Sequence, residues 1–378
     1  MKARRKIHVS KRDNICLLLV AIILGGVLGL SLFTLKSVAP AADEMVFIRV
    51  TQQLPKYDSH SEWWTLMGET HPADEPQFDS QKDSDNEALR AQFDYFYEVP
   101  IRQHPPVASY LAYPLVKLLY NEETPKQVYK SVRDLRQFAW AMIAFCVLAV
   151  AYIARKKCKT GTALLLALLP LVALPALFTR FGNNWFYNDT FMLVFLVMAL
   201  SMRGTKYEKF IYIPLALMVG CKIYAIAFLI PFIIENKKTA LCSLMLVPYF
   251  IQCYFATGDF FFPFTLRLMI PKGSGHITMW YALSNGLKMI WLEVIRIPYF
   301  MGITTLPFAF LVLREIKNKN WFLPLLYVIS FGVTGLGTTD CEYRLLPAMI
   351  IGTLVTVEAV SIYALNKNIV QSSRRRKQ

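Results

Sequence analysis

The stretch KFIYIPLALMVGCKIYAIAFLIPFII, residues 209–234, decides how the rest of the chain is threaded. It is apolar almost throughout, yet Pro214, Gly220 and Lys222 interrupt it. It is also longer than the ~20 residues that one helix needs to cross a bilayer. If it crossed once, Lys237 and Lys238, the Arg314, Lys317 and Lys319 group, and the basic tail 374–377 would alternate wrongly with the earlier basic loops. Read as a hairpin of two short helices turning near Gly220 and Lys222, it brings every basic loop to one side: the N-terminus, 155–159, 203–209, 237–238, 314–319 and the C-terminus. By the positive-inside rule that side is the cytoplasm.

Working outward, further spans are expected at 15–35, 135–154, 161–178, 188–202, 239–257, 297–313, 320–337 and 345–365. With the hairpin they give about ten crossings, both termini inside. The fold class is therefore an all-α polytopic membrane protein with a large first non-cytoplasmic loop carrying interfacial helices. Its parts are a basic N-terminus and first span (1–35), the outer loop (36–134), a bundle (135–257), a second outer loop (258–296), the last three spans (297–365) and a basic tail (366–378). Composition agrees: 55 % of the 378 residues are hydrophobic and 18 % charged. A soluble globule carries roughly 25 % charged residues, so a soluble enzyme and a disordered tail are both excluded.

The net charge of +15 invites a nucleic-acid reading. However, the basic residues sit in short loops between apolar runs, while 36–134 holds 10 basic against 16 acidic residues. That alternation is a topogenic signal, and no basic stripe crosses a folded domain. The first run is too long for the roughly 7–15-residue apolar core of a signal peptide, so "SVAPAADE" after it follows a retained anchor. Cys16, Cys146, Cys221, Cys242 and Cys253 lie in apolar surroundings and read as core filler.

Within the outer loop, 57–98 is polar and acidic. From Pro105 to Tyr120, Val107, Leu111, Leu115, Leu118 and Leu119 recur at helical spacing with Pro114 interrupting, the pattern of a helix lying in the interface. Thr124, Pro125 and Gln127 have the N-cap, N1 and N3 chemistry of a helix start. The second loop mixes aromatics with Arg267, Lys272, Lys288 and Arg296, as headgroup-level segments do.

Under this topology the ionisable residues outside the cytoplasmic loops converge on the outer rim. They are Asp43 and Glu44 after the first span, Arg102 and His104 before Pro105-Pro106, Arg180 and Asp189 around "FGNNWFYND", Lys222, and Asp340, Glu342 and Arg344. Charges at membrane depth are costly and mark function. Each also has a plain structural reading: a solvated carboxylate, a loop punctuation, a snorkelling lysine, or an Arg344 salt bridge to Glu342 or Asp340. Glu358 reads as hydrogen-bonded within the bundle. "DSD" at 83–85 with His60 or His71 could hold a divalent metal, though the sequence requires none. Serine-hydrolase, phosphate-loop, dinucleotide and cysteine–zinc signatures are absent.

The order of these pieces resembles the GT-C superfamily of membrane glycosyltransferases, nearest the protein O-mannosyltransferase and lipid A aminoarabinose transferase branch. The features are a first outer loop opening on "ADE", "HPP" before an interfacial helix, then "GNNWFYND", "LMVGCKIYAIAFLIP" and "EYRLLPAM". The resemblance implies a sugar on a polyprenyl phosphate as donor, Asp43 as the catalytic carboxylate with Glu44 beside it, and the His-Pro-Pro element at His104. Lys222 and Arg344 would meet the donor phosphate, with Arg267 or Arg296 assisting and Arg102, Asp189 and Glu342 completing the substrate site. The partners implied are the lipid-linked sugar, the bilayer and an acceptor glycan, lipid or protein, with no nucleic acid. The membrane would be the plasma membrane in a prokaryote and the endoplasmic reticulum in a eukaryote. Three other classes fit the same architecture: a lipid-linked glycan transporter or flippase, a non-catalytic subunit of a membrane complex, and a glycan polymerase or ligase.

Overall fold

A computed structural model describes residues 11–37, 44, 47–48, 51–52, 105–121, 125–175, 185–257, 260–261, 298–318, 320–336 and 346–375. Those residues are mostly helical, with no strand among them. In chain order the α-helices are α1 (Lys11–Ser37), α2 (Val107–Leu119), α3 (Pro125–Lys157), α4 (Gly161–Leu168), α5 (Asn188–Met202), α6 (Tyr212–Cys221), α7 (Leu229–Glu235), α8 (Val247–Thr257), α9 (Pro298–Asn318), α10 (Phe322–Leu336) and α11 (Leu346–Arg375). Four tighter 3-10 segments join them: Leu169–Ala173, Glu208–Phe210, Ile223–Phe228 and Lys237–Leu246.

Among the described residues, three stretches are long and apolar enough to cross a membrane: Lys11–Leu35, Lys130–Lys157 and Leu346–Ala364. The chain is thus an α-helical membrane protein. Helix α11 is its axis, packed against α3, α4, α9 and α10 and buried over most of its apolar length. Helix α1 lies at the margin against α3 and α4, with Leu18, Ile22, Leu30 and Phe33 turned outward. Its start meets α4 closely: the Gly161 N–H donates to Asp13 Oδ1 at 3.0 Å, and a Cβ at Gly161 would sit 2.5 Å from the Asp13 carbonyl oxygen.

Local chemistry explains several boundaries. Helix α3 begins at Pro125, as the Thr-Pro-Lys-Gln start predicts. Thr160 caps α4 by accepting the Ala163 N–H at 3.2 Å, and Pro170 coincides with the change to 3-10 winding. Proline has no N–H to complete the α pattern.

The 209–234 segment doubles back. Helix α6 ends at Lys222, whose backbone is extended (φ −156°, ψ 135°). Helical winding then resumes at Ile223. Asn236 Nδ2 donates to the Tyr212 hydroxyl at 2.8 Å, so the exit of α7 lies beside the entrance of α6. Arg203, just after α5, joins the same end through an ion pair with Glu235.

The structure corrects one point in the reading of α2 and adds its packing face. Pro114 lies inside a continuous helix instead of interrupting it. The face against the bundle is Ala108, Ser109, Ala112 and Val116, whereas Leu111 and Leu118 point outward. Lipid is as apolar as leucine, so membrane helices associate through small residues that let backbones approach. Glu358 is hydrogen-bonded to the bundle as expected, through a partly exposed ion pair with Lys157 at the end of α3. The six described cysteines are all buried, in keeping with a filler role.

Candidate functional site: two buried ion pairs at one end of the bundle

The site starts where α1 ends. Beyond it the described residues Glu44, Phe47, Ile48 and Thr51 are buried against the bundle. Glu44 is fully enclosed, and so is Arg136 on the third turn of α3, at 0 % and 1 % side-chain exposure. The guanidinium grips the carboxylate as a fork: Nε lies 3.0 Å from Oε1 and 2.9 Å from Oε2, and Nη2 lies 2.6 Å from Oε2. Its Nη1 points at the Leu35 carbonyl oxygen, 3.5 Å away at the end of α1. Planar Arg–carboxylate pairing of this kind combines charge with fixed geometry.

Glu44 Oε1 also accepts the Phe186 backbone N–H at 3.1 Å, which ties the pair to the strap leading into α5. Phe47 reinforces the join, with its ring edge-on to Phe186 (centroids 5.6 Å) and Tyr187 (5.9 Å). Edge-to-face contacts of this sort are worth about 0.5–1.5 kcal/mol each beyond the area they bury.

The strap carries the second pair. Tyr187, in extended conformation, precedes α5, and the Thr190 hydroxyl donates back to the Trp185 carbonyl at 2.6 Å. Asp189 therefore sits in the first turn, where the helix dipole favours a carboxylate. It forms an ion pair with Lys222, and the pair is 3 % and 0 % exposed. The Lys222 ammonium also lies over the rings of Tyr187 (4.6 Å) and Tyr224 (5.0 Å). Asp189 Oδ1 and Asn188 Oδ1 are buried without a hydrogen-bond partner among the described residues.

The break at Lys222 is what points this lysine inward, and the glycine before it lets α2 approach. A Cβ at Gly220 would lie 2.5 Å from Val107 Cγ2. The start of α2, directly after Pro105-Pro106, thus abuts the turn that carries Lys222.

Of the residues expected at the outer rim, the structure brings Glu44, Asp189 and Lys222 to one end of the bundle. Two of them differ chemically from expectation. Glu44, expected as a catalytic carboxylate beside Asp43, has its oxygens occupied by a guanidinium and a backbone amide. It is not free to take a proton from a third group. Lys222, expected at a hairpin tip facing a phosphate, is buried and neutralised by Asp189. Asp43, Arg102, His104, Arg180, Arg267, Arg296, Asp340, Glu342 and Arg344 lie outside the described residues, as do "DSD" at 83–85, His60 and His71.

Sequence reasoning missed Arg136, which it treated as the edge of a span. The available signal was an arginine set among Leu135, Phe138, Ala139 and Trp140 on the inner side of a helix start. Among the described residues no group of three His, Cys, Asp or Glu side chains could hold a metal. The chain matches no family model, no curated protein and no solved structure.

Proposed function

We propose that this chain is a membrane glycosyltransferase. It would move a sugar from a polyprenyl-phosphate donor to an acceptor hydroxyl on the non-cytoplasmic face, in a bundle of about ten crossings with both termini cytoplasmic. The observation that carries the reading is the convergence of Glu44, Arg136, Asp189 and Lys222, all buried, at one end of an apolar bundle. Ionisable side chains inside a membrane protein mark a functional site by default. This end is also where the resemblance puts lipid-phosphate chemistry.

In the proposed reaction the acceptor hydroxyl oxygen attacks the anomeric carbon and gives its proton to Asp43. The bond from that carbon to the phosphate oxygen breaks, and polyprenyl phosphate leaves with the electron pair. One displacement inverts the anomeric centre, as in single-step glycosidases. General-base help contributes on the order of 10²–10⁴ in rate. Glu44, clamped by Arg136, anchors the chain next to the base and does not act as one. Arg344 stabilises the leaving phosphate. Lys222 joins it only if the phosphate shares or displaces Asp189, so donor binding and the Asp189–Lys222 pair compete.

One observation favours a second reading. Lys222 sits at a helix break, and transporters build their binding sites on discontinuous helices. A lipid-linked glycan transporter therefore stands as the alternative, and a non-catalytic subunit would retain closed pairs for architecture alone. Purified protein in detergent, where no gradient exists, separates them when given radiolabelled polyprenyl-phosphate sugars and acceptor extract. Transfer that disappears in Asp43→Asn supports the enzyme. No transfer by the wild type, or full transfer by that variant, refutes the proposal.

A further inference from the structure

The end of the bundle away from the two buried pairs carries a rigid cationic surface made from two turns. The first, residues 203–211, is held by its own side chains. Gly204 takes a left-handed conformation (φ +69°), and its N–H donates to Glu208 Oε2 at 3.1 Å. The Thr205 hydroxyl donates to the Met202 carbonyl at 2.7 Å and accepts the Tyr207 N–H at 3.1 Å. The second turn, 235–238, is joined to it by the Asn236–Tyr212 hydrogen bond and the Arg203–Glu235 ion pair.

This construction sorts the charges. Both local acids are exposed but engaged locally, Glu208 by the Gly204 backbone amide and Glu235 by Arg203, whose guanidinium also lies 3.8 Å from the Phe322 ring centroid. Lys206, Lys209, Lys237 and Lys238 are left exposed on one surface. Two of them lie over aromatic rings that are themselves exposed: Lys206 over Tyr207 at 5.0 Å and Lys209 over Phe210 at 4.9 Å. Those rings are 53 % and 46 % exposed, which is unusual for side chains a soluble protein would cover. Aromatic rings beside ammonium groups match the headgroup layer, where the ring sits among glycerol and carbonyl groups and the cation meets phosphate.

We propose that these two turns form one docking surface for anionic phospholipid headgroups. Arg203, Lys206, Lys209, Lys237 and Lys238 outnumber Glu208 and Glu235 on this surface, so a phosphodiester bearing one negative charge meets a net positive field, and the hydrogen-bonded turn presents the lysines without further ordering. Juxtamembrane lysines attract anionic lipid by an amount equivalent to about fivefold in preference per lysine.

The test uses the full chain in nanodiscs of phosphatidylcholine alone or of equal parts phosphatidylcholine and phosphatidylglycerol. Retained lipid is measured by native mass spectrometry, and thermal midpoints are recorded alongside. The wild type should retain phosphatidylglycerol selectively and melt higher in the mixed discs. Lys206→Gln with Lys209→Gln should lose most of that preference. Tyr207→Ala with Phe210→Ala should weaken it with the charge intact. The control pair Lys11→Gln with Arg12→Gln, exposed at the start of α1, removes the same charge without aromatic partners. Equal retention of both lipids by the wild type overturns the proposal. So does an equal effect of the control and turn pairs, which would mean diffuse charge, and so does an unchanged preference in the aromatic variant.

Discussion

Arg136→Met removes the guanidinium and leaves Glu44 enclosed at 0 % exposure with the Phe186 amide and whatever weaker contacts remain. Breaking a buried ion pair from one side typically costs about 3–5 kcal/mol, because the surviving charge has neither partner nor water. Glu44→Met should cost a similar amount, since it strands the guanidinium and the Phe186 N–H. The double variant removes both charges together. What remains is the unpaired Phe186 donor, at about 1–3 kcal/mol, partly offset by apolar packing of the two methionines. The double variant should therefore be more stable than either single one, with a coupling energy of at least about 2 kcal/mol in the pair's favour. Reversible unfolding of the purified protein in mixed micelles, followed by tryptophan fluorescence across the four members of the cycle, measures that coupling directly. Additive costs, with coupling below about 0.5 kcal/mol, would mean that the two side chains do not meet and that the strap at 185–189 is held by something else.

Lys222→Met should also destabilise by about 3–5 kcal/mol in the same assay, because Asp189 would lose its only described ion-pair partner while buried; an effect under about 1 kcal/mol would contradict the pairing. Gly220→Ala should cost about 1–3 kcal/mol by overpacking against Val107, and Val107→Ala in the same chain should restore most of the loss. On α2, Ala112→Leu should be similarly damaging, whereas Leu118→Ala, on the outward face, should stay within about 0.5 kcal/mol in detergent. Burial pushes the Cys158 thiol from 9.0 up to about 11, with Glu358 adding to the rise and Lys157 opposing it. At neutral pH it should react with maleimide about a hundredfold more slowly than an exposed cysteine placed at Lys159. Because the folded value is raised, the thiol's contribution to stability is complete below pH 9.0 and is lost as the pH rises toward about 11.

What the sequence disclosed well was local. A proline at the first helical position marked the start of α3, and a lysine beside a glycine marked the turn of the hairpin. Charge alternation along the chain is enough to bring Glu44, Asp189 and Lys222 to one end. What it hid was pairing. Glu44 and Arg136 are 92 positions apart, and Lys222 and Asp189 are 33 apart. No periodicity links residues on separate helices, so charges that look available along the chain can cancel in space. The inward face of α2 was hidden for a different reason. Counting large apolar residues identifies the core side in water, but in a bilayer it identifies the lipid side, and the packing falls to Ala108, Ser109 and Ala112.

An outward-facing glycosyltransferase needs the two buried pairs at the non-cytoplasmic end. Asn121, exposed beyond the start of α3, belongs to that end, and Lys206, exposed in the turn after α5, belongs to the opposite one. With Cys341, the cysteine outside the described residues, changed to Ser, Asn121→Cys and Lys206→Cys are exposed to a membrane-impermeant maleimide on intact cells and again after permeabilisation. Labelling of Asn121→Cys from outside, with Lys206→Cys reached only after permeabilisation, is the predicted result. The reverse pattern would put the two ion pairs at the cytoplasmic face and remove the ground for an outward-facing glycosyltransferase.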